Sequence, residues 1–198
     1  CGLIPELYKQ GFAGRVYCTA ETAELADLQL RDAAKLKSTP FEDEDVNRIQ
    51  FFTPGGDGET HFGHFHPVSR DLFIQFFRSG HLLGAASITV LWGPKGPDQR
   101  SIVFSGDIGP GREDKETQPF ERHLHHPKPT DFAVVESTYG GTVRSEEEMD
   151  PVKRRERLAA ALDRAMERGG TLAIAAFGAG RTQHMLYDIH FVVASDPQ

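Results

Sequence analysis

Apolar and polar positions along this chain change period several times, and each change marks an element. Residues 3–10 put Leu3, Ile4 and Leu7 on one helical face, and Gly11 stands where a helix-ending glycine is wanted. Residues 15–19 make a short extended run with Val16 and Cys18 on one side. Thr19 is then placed to cap a long helix from Ala20 to about Lys37. Residues 38–48 are polar and acidic and contain Pro40, which predicts a loop or a weak helix over 43–48. A strand is predicted next at 49–53, then a turn-rich break at 54–58. In 61–66, an extended backbone would place Phe62, His64 and His66 on one face, and His61, Gly63 and Phe65 on the other.

From there the strands are plainer. Residues 72–78 form a strongly apolar strand that runs into Ser79-Gly80-His81. Residues 86–92 and 100–104 are strands joined by a turn rich in Pro and Gly, which predicts a hairpin. Asp107 comes just after its second arm. Residues 109–130 are irregular and rich in charge, Pro and His. The continuous apolar run 132–135 has the signature of a strand buried on both faces, and Glu136 ends it. After Gly141 the grammar changes. Asp150-Pro151 opens a helix with an apolar stripe at Leu158, Leu162, Ala165 and Met166, closed by Gly169-Gly170. A buried strand over 171–176, a glycine turn over 177–180 and a helix from Arg181 to about Val193 complete a parallel α/β unit.

Composition narrows the classes. A chain of 198 residues builds one good core, or one domain and part of another. Its apolar and charged contents are those of a folded protein. The formal charge of −7 argues against binding nucleic acid through a broad basic surface. It does not exclude a nuclease, because a metal held by carboxylates can take phosphate as a ligand. Two cysteines, Cys1 and Cys18, are no disulfide framework, so a reducing, cytoplasmic setting is the expectation, with Cys18 as a core thiol. No apolar run approaches the roughly 18 residues that span a bilayer, so no membrane partner is expected. The chain does not begin with Met, which suggests a fragment or a processed protein.

Three residues stand at strand ends beside glycine: His81, Asp107 and Glu136. These are first-row metal-ligand types, and an Asp can bridge two ions that together activate water and stabilise displacement at phosphorus. Each also has a structural reading. A buried His is often satisfied in a core, an Asp before Ile-Gly can form an Asx-turn, and a Glu can cap a turn. The residues alone leave the two open. Other clusters read mainly as structural: Glu42 to Asp45 as a solvated face, His64 and His66 as part of an exposed strand, and His123, His125 and His126 as surface histidines. Phe177-Gly178-Ala179-Gly180 before a helix could cradle phosphate, although a tight strand-to-helix turn needs glycine anyway.

The motifs Gly80-His81-Leu82-Leu83-Gly84-Ala85-Ala86, Phe104-Ser105-Gly106-Asp107 and Glu136-Ser137-Thr138-Tyr139-Gly140 resemble, in order and spacing, the metallo-β-lactamase-fold RNA-processing nucleases of the β-CASP group. These are similar to the polyadenylation cleavage endonuclease subunit and its bacterial homologues. Phe177-Gly178-Ala179-Gly180-Arg181-Thr182-Gln183 looks like that group's F-A-x-G-R-x-Q segment. Cys1-Gly2-Leu3-Ile4-Pro5 looks like the segment directly C-terminal to its H-x-H-x-D-H motif.

The resemblance implies an α/β fold: part of an αββα sandwich over 1–140, and the start of a Rossmann-like inserted domain over 141–198. It implies hydrolysis of RNA phosphodiester bonds by the intact protein, with two zinc ions activating the attacking water. His81 would be a zinc ligand, Asp107 the bridging carboxylate, and Glu136 an acidic residue orienting a later His that acts as general acid. It implies RNA as partner and leaves open a homodimer or a processing complex. Tyr139 and Arg181 are expected to serve local structure and packing. The chain departs from the family where the H-x-H-x-D-H motif and the C-terminal His motifs should be; His64-Phe65-His66 lacks the Asp-His that would complete it. The expectation is therefore a fragment that alone binds zinc poorly and does not cleave RNA. Other readings are a hydrolase of the same fold acting on DNA or a small ester, and a non-catalytic scaffold paralogue.

Overall fold

In the computed structural model the chain is described over residues 2–55, 62–109, 127–145, 147 and 150–195. His61, His123, His125 and His126 lie outside the described residues, as do 56–58 of the break after Pro54. The fold is mixed α/β. The described residues of 2–109 and 127–136 form one unit, and those of 137–195 a second.

The first unit begins with α1 (Ile4–Lys9), β1 (Arg15–Tyr17), α2 (Ala20–Ala34), α3 (Asp43–Asn47) and β2 (Gln50–Phe52). Strands β1 and β2 pair in parallel, with Val16 opposite Phe51. A small apolar cluster of Leu30, Phe41 and Val46 lies under α2 and α3, with Ile49 and Phe51 against it. The α1 stripe differs from expectation: Leu3 and Leu7 are exposed, and Tyr8 is the buried residue. The phenol explains this, since Tyr8 Oη accepts from the Gln50 N–H at 3.1 Å and donates to the Gly14 carbonyl, satisfying both ends of the polar tip. The acidic run is structural. Glu42 and Asp45 form a capping box on α3, and Asp43 pairs with Arg31.

The main sheet has five strands and is mixed, in the order β3 (His66–Ser69), β4 (Leu72–Arg78), β5 (Ala86–Trp92), β6 (Arg100–Phe104) and β7 (Phe132–Val134). All neighbours are antiparallel except β6 and β7. Strand β4, between β3 and β5, is buried on both faces, with Phe76 only 1% exposed. Burying such a ring contributes about 1.5–3 kcal/mol. Residues 62–65 are not strand; the Gly63 N–H donates to the Phe76 carbonyl at 2.8 Å and the Gln75 amide to the Gly63 carbonyl at 2.5 Å. Strand β7 departs from expectation as well. It pairs where expected, but Phe132, Val134 and Val135 are exposed, because no other described element covers that edge of the sheet. An apolar run is buried on both faces only where layers lie on both.

The second unit holds α4 (Pro151–Arg168) and α5 (Arg181–Ser195). Asp150 caps α4 through the Val152 N–H at 2.9 Å, and left-handed Gly169 closes it. Residues 171–176 are not a buried strand. They pair with no strand among the described residues, and Leu172 and Ile174 stay partly exposed. A strand exists through partners far along the chain, which local pattern cannot supply. Met166, in the expected apolar stripe, is likewise exposed. No helix among the described residues is long and apolar enough to cross a membrane.

Candidate functional site

The site is assembled from three loops at one end of the five-stranded sheet: the one after β4, the one after β6 and the one after β7. Strand β4 ends at Arg78, and Ser79 organises the loop beyond it. The Ser79 N–H donates to the Ala85 carbonyl at 3.1 Å, closing the loop that carries His81. Its carbonyl accepts from the Gly109 N–H at 2.8 Å, tying that loop to the one carrying Asp107. The two backbones touch at Gly109: a Cβ built there would overlap the Gly80 carbonyl oxygen. Only glycine permits this approach.

The far side of the His81 loop is held by α2. Thr19 Oγ1 accepts from the Thr22 N–H at 3.2 Å as an N-cap and donates to the Gly84 carbonyl at 2.7 Å. Gly84 has φ +80°, and a side chain there would meet Glu21 Cβ at 2.6 Å.

The Asp107 loop is fixed from the third side. Glu136 Oε1 accepts from the Ile108 N–H at 2.5 Å. Buried Ser105 links the neighbouring strands: its N–H donates to the Val134 carbonyl at 2.9 Å, its Oγ accepts from the Glu136 N–H at 2.9 Å, and its carbonyl accepts from Ser87 Oγ at 2.7 Å. Ile108 and Gly109 therefore donate to two different elements, Glu136 after β7 and Ser79 after β4. Asp107 is the residue this clamp presents.

The result is a pair. His81 Nε2 lies 3.9 Å from Asp107 Oδ2, with the His81 side chain 42% exposed and that of Asp107 77% exposed. Two donors bound to one tetrahedral ion at ordinary zinc distances stand about 3.3 Å apart, so a small closure would let both hold a cation. No group of three or more His, Cys, Asp or Glu able to hold a metal exists among the described residues. The site is open at this edge: the adjoining niche lined by Phe62, Arg78 and Leu82 has a volume of about 10 Å³, room for one water.

Sequence reasoning named His81, Asp107 and Glu136, and the structure brings all three loops together. It missed Ser79, Ser105 and Gly109, whose work is done by backbone groups and one hydroxyl. The signal was present in the glycines and small residues flanking the three candidates. Cys18 is buried and burial pushes its thiol up to about 11, as fits a core residue. Tyr139 carries the Arg144 guanidinium 4.7 Å from its ring centre.

No protein-family model matches the chain. It is similar to several curated proteins. It is 28% identical over 204 residues to ribonuclease TTHA0252 of Thermus thermophilus, covering 96% of this chain and 40% of that protein. It is 27% identical over 195 residues to an RNase J-like protein of Methanocaldococcus jannaschii, covering 98% and 42%. It is 26% identical over 203 residues to the transcription termination factor FttA of a Lokiarchaeum species, covering 98% and 29%. The chain thus spans well under half the length of these relatives.

Proposed function

We propose that this chain carries part of the active site of a zinc-dependent ribonuclease of the metallo-β-lactamase type, together with the beginning of a β-CASP inserted domain. The observation that carries the reading is the His81–Asp107 pair, exposed at the sheet end and set by a clamp of backbone hydrogen bonds. Its support from relatives is that proteins named ribonuclease and RNase J-like align over 96% and 98% of the chain.

The fit to zinc is partial. His81 and Asp107 offer one imidazole and one carboxylate of the right chemical type, and the described residues offer no third ligand. In this reading the remaining ligands lie outside the described residues. Bound zinc would supply Lewis acidity toward the phosphate and the attacking water. The chain's own contribution is positional. Glu136 and Ser79 fix the Asp107 loop, Thr19 fixes the His81 loop, and the exposed pair faces solvent where a phosphodiester can approach.

The test uses the longest natural protein containing this chain, incubated with end-labelled single-stranded RNA. Cleavage that stops with a chelator, and that falls at least about 100-fold in Asp107→Asn and His81→Ala, is the expected result. Cleavage at the parent rate in Asp107→Asn would overturn the reading. Binding of RNA without cleavage by the unmutated protein would favour a scaffold instead.

A further inference from the structure

The second unit contains a cavity of about 500 Å³ that the clamp and the His81–Asp107 pair do not use. It lies between the end of the extended segment 171–176, the start of α5 and α4, and its walls include Phe177, Arg181, His184, Met185, Arg154 and Asp188. Its size is that of a small-molecule site.

Its charge is unusual for a chain of formal charge −7. Asp188 is nearly fully buried and held by two cations. Arg154 donates to it through Nε at 2.7 Å and Nη2 at 3.1 Å, and Arg155 through Nε at 3.1 Å. Within the lining Arg154 balances Asp188, and Arg155 holds the same carboxylate without lining the cavity. The uncompensated cation of the lining is Arg181: among the described residues its side chain has no hydrogen bond or ion pair. His184 stands one turn further along the same helix face. The start of the 15-residue α5 contributes the positive end of its dipole to the same space.

Its apolar component is equally specific. Phe177 is 83% exposed and packs on no other aromatic ring among the described residues. A bare ring costs solvation without return unless something flat covers it. A free guanidinium beside a free ring matches a nucleotide: phosphate to the arginine and base to the ring. A polypeptide strand docking here would instead pair with 171–176 and cover Leu172 and Ile174, and it would have no use for Arg181.

We propose that this cavity is a subsite for one nucleotide of a single-stranded RNA, with Arg181 on the phosphate and Phe177 under the base. The proposal rests on the RNA reading above but requires neither zinc nor cleavage. Its test is titration of the 198-residue chain into fluorescein-labelled hexauridylate at low salt, read by anisotropy, with UMP alone as a parallel arm. Arg181 is exposed, so Arg181→Ala should leave the circular dichroism unchanged. It should weaken binding about 10-fold and reduce the slope of log K against log salt by about 0.7, the value for one phosphate on a single strand. Phe177→Ala should weaken binding about 10-fold, and Phe177→Trp should restore it. Lys95→Ala, which removes an exposed cation outside the cavity, should bind like the parent.

Undetectable binding, or affinities unchanged by both substitutions, would overturn the proposal. UMP binding as tightly as the hexamer would also overturn it, by assigning the cavity to a free nucleotide. Failure here with Asp107-dependent cleavage intact in the longer protein removes only the subsite. Binding at Arg181 with no cleavage by that protein removes only the ribonuclease.

Discussion

At the scale of single residues, the site depends on groups that are not themselves reactive. Asp107 is exposed, and the 3.9 Å pairing with His81 holds its side chain only loosely. Its direction is set one and two residues later, where Ile108 and Gly109 donate to Glu136 and to Ser79. Substituting Gly109 by Ala drives a methyl into the Gly80 carbonyl, so the loops must part. We expect Gly109→Ala to cost about 1–3 kcal/mol in urea unfolding, the usual penalty for overpacking, while Gly2→Ala, with open space around it, costs little. Cys18 gives a second prediction. Its folded value is raised to about 11, so the stabilisation from keeping the thiol neutral is fully present below about 8.5, its unfolded value, and is lost as pH rises through about 11. In the native protein Cys18 should resist iodoacetamide at about pH 8 and react once denatured, as read on its own peptide by mass spectrometry. Rapid alkylation of Cys18 in the native chain would contradict its burial.

At the scale of elements, α2 does more than fill space. Its N-cap hydroxyl reaches across to the Gly84 carbonyl and so anchors the His81 loop. Thr19→Ala removes the cap and leaves the Gly84 carbonyl only the 3.2 Å bond from Thr22 Oγ1, which should cost about 0.5–2 kcal/mol by denaturant unfolding, while Thr19→Ser should recover most of it. Elements with strong local signals were legible in the sequence. Strands 86–92 and 100–104 have the predicted limits because Gly and Pro break the pattern at both ends, and 72–78 because Arg70-Asp71 precede it and Gly80 follows it. Thr19, Asp150 and Gly169 mark helix ends as their chemistry requires. The illegible parts depended on distant partners. Segment 171–176 is apolar enough for a strand but pairs with none among the described residues, and β7 is apolar enough for a core but is not covered. In the site, the reactive residue types could be read directly. Ser79 and Ser105 could not, because backbone hydrogen bonds leave no mark on composition.

At the scale of the whole molecule, the parallel pair of β6 and β7 joins the Asp107 loop to Glu136, so its stability bears on the site. Its far end is held by Asp131. The Ser101 hydroxyl and N–H, and then Arg100, keep the Asp131 carboxyl below its ordinary value. A depressed carboxylate contributes stability that is present above its unfolded value, about 3.9, and is lost as pH falls through the lower folded value. The difference in melting temperature between the parent and Asp131→Asn should therefore be constant above about pH 5 and shrink below about pH 4. A difference independent of pH would show that the charge of Asp131 is not what joins the strands.

The two margins of the five-stranded sheet are finished differently, and this bears on how the chain behaves in solution. Strand β3 is short, carries Pro67 and changes register between Pro67 and Ser69, features that discourage another strand from adding to it. Among the described residues strand β7 has no such guard, and its outer margin presents Phe132 and Val134 beside an exposed Trp92. An unguarded apolar margin recruits further chains in register, and each addition recreates it. Concentrated solutions should therefore grow turbid and bind thioflavin T, and Val134→Lys should delay both.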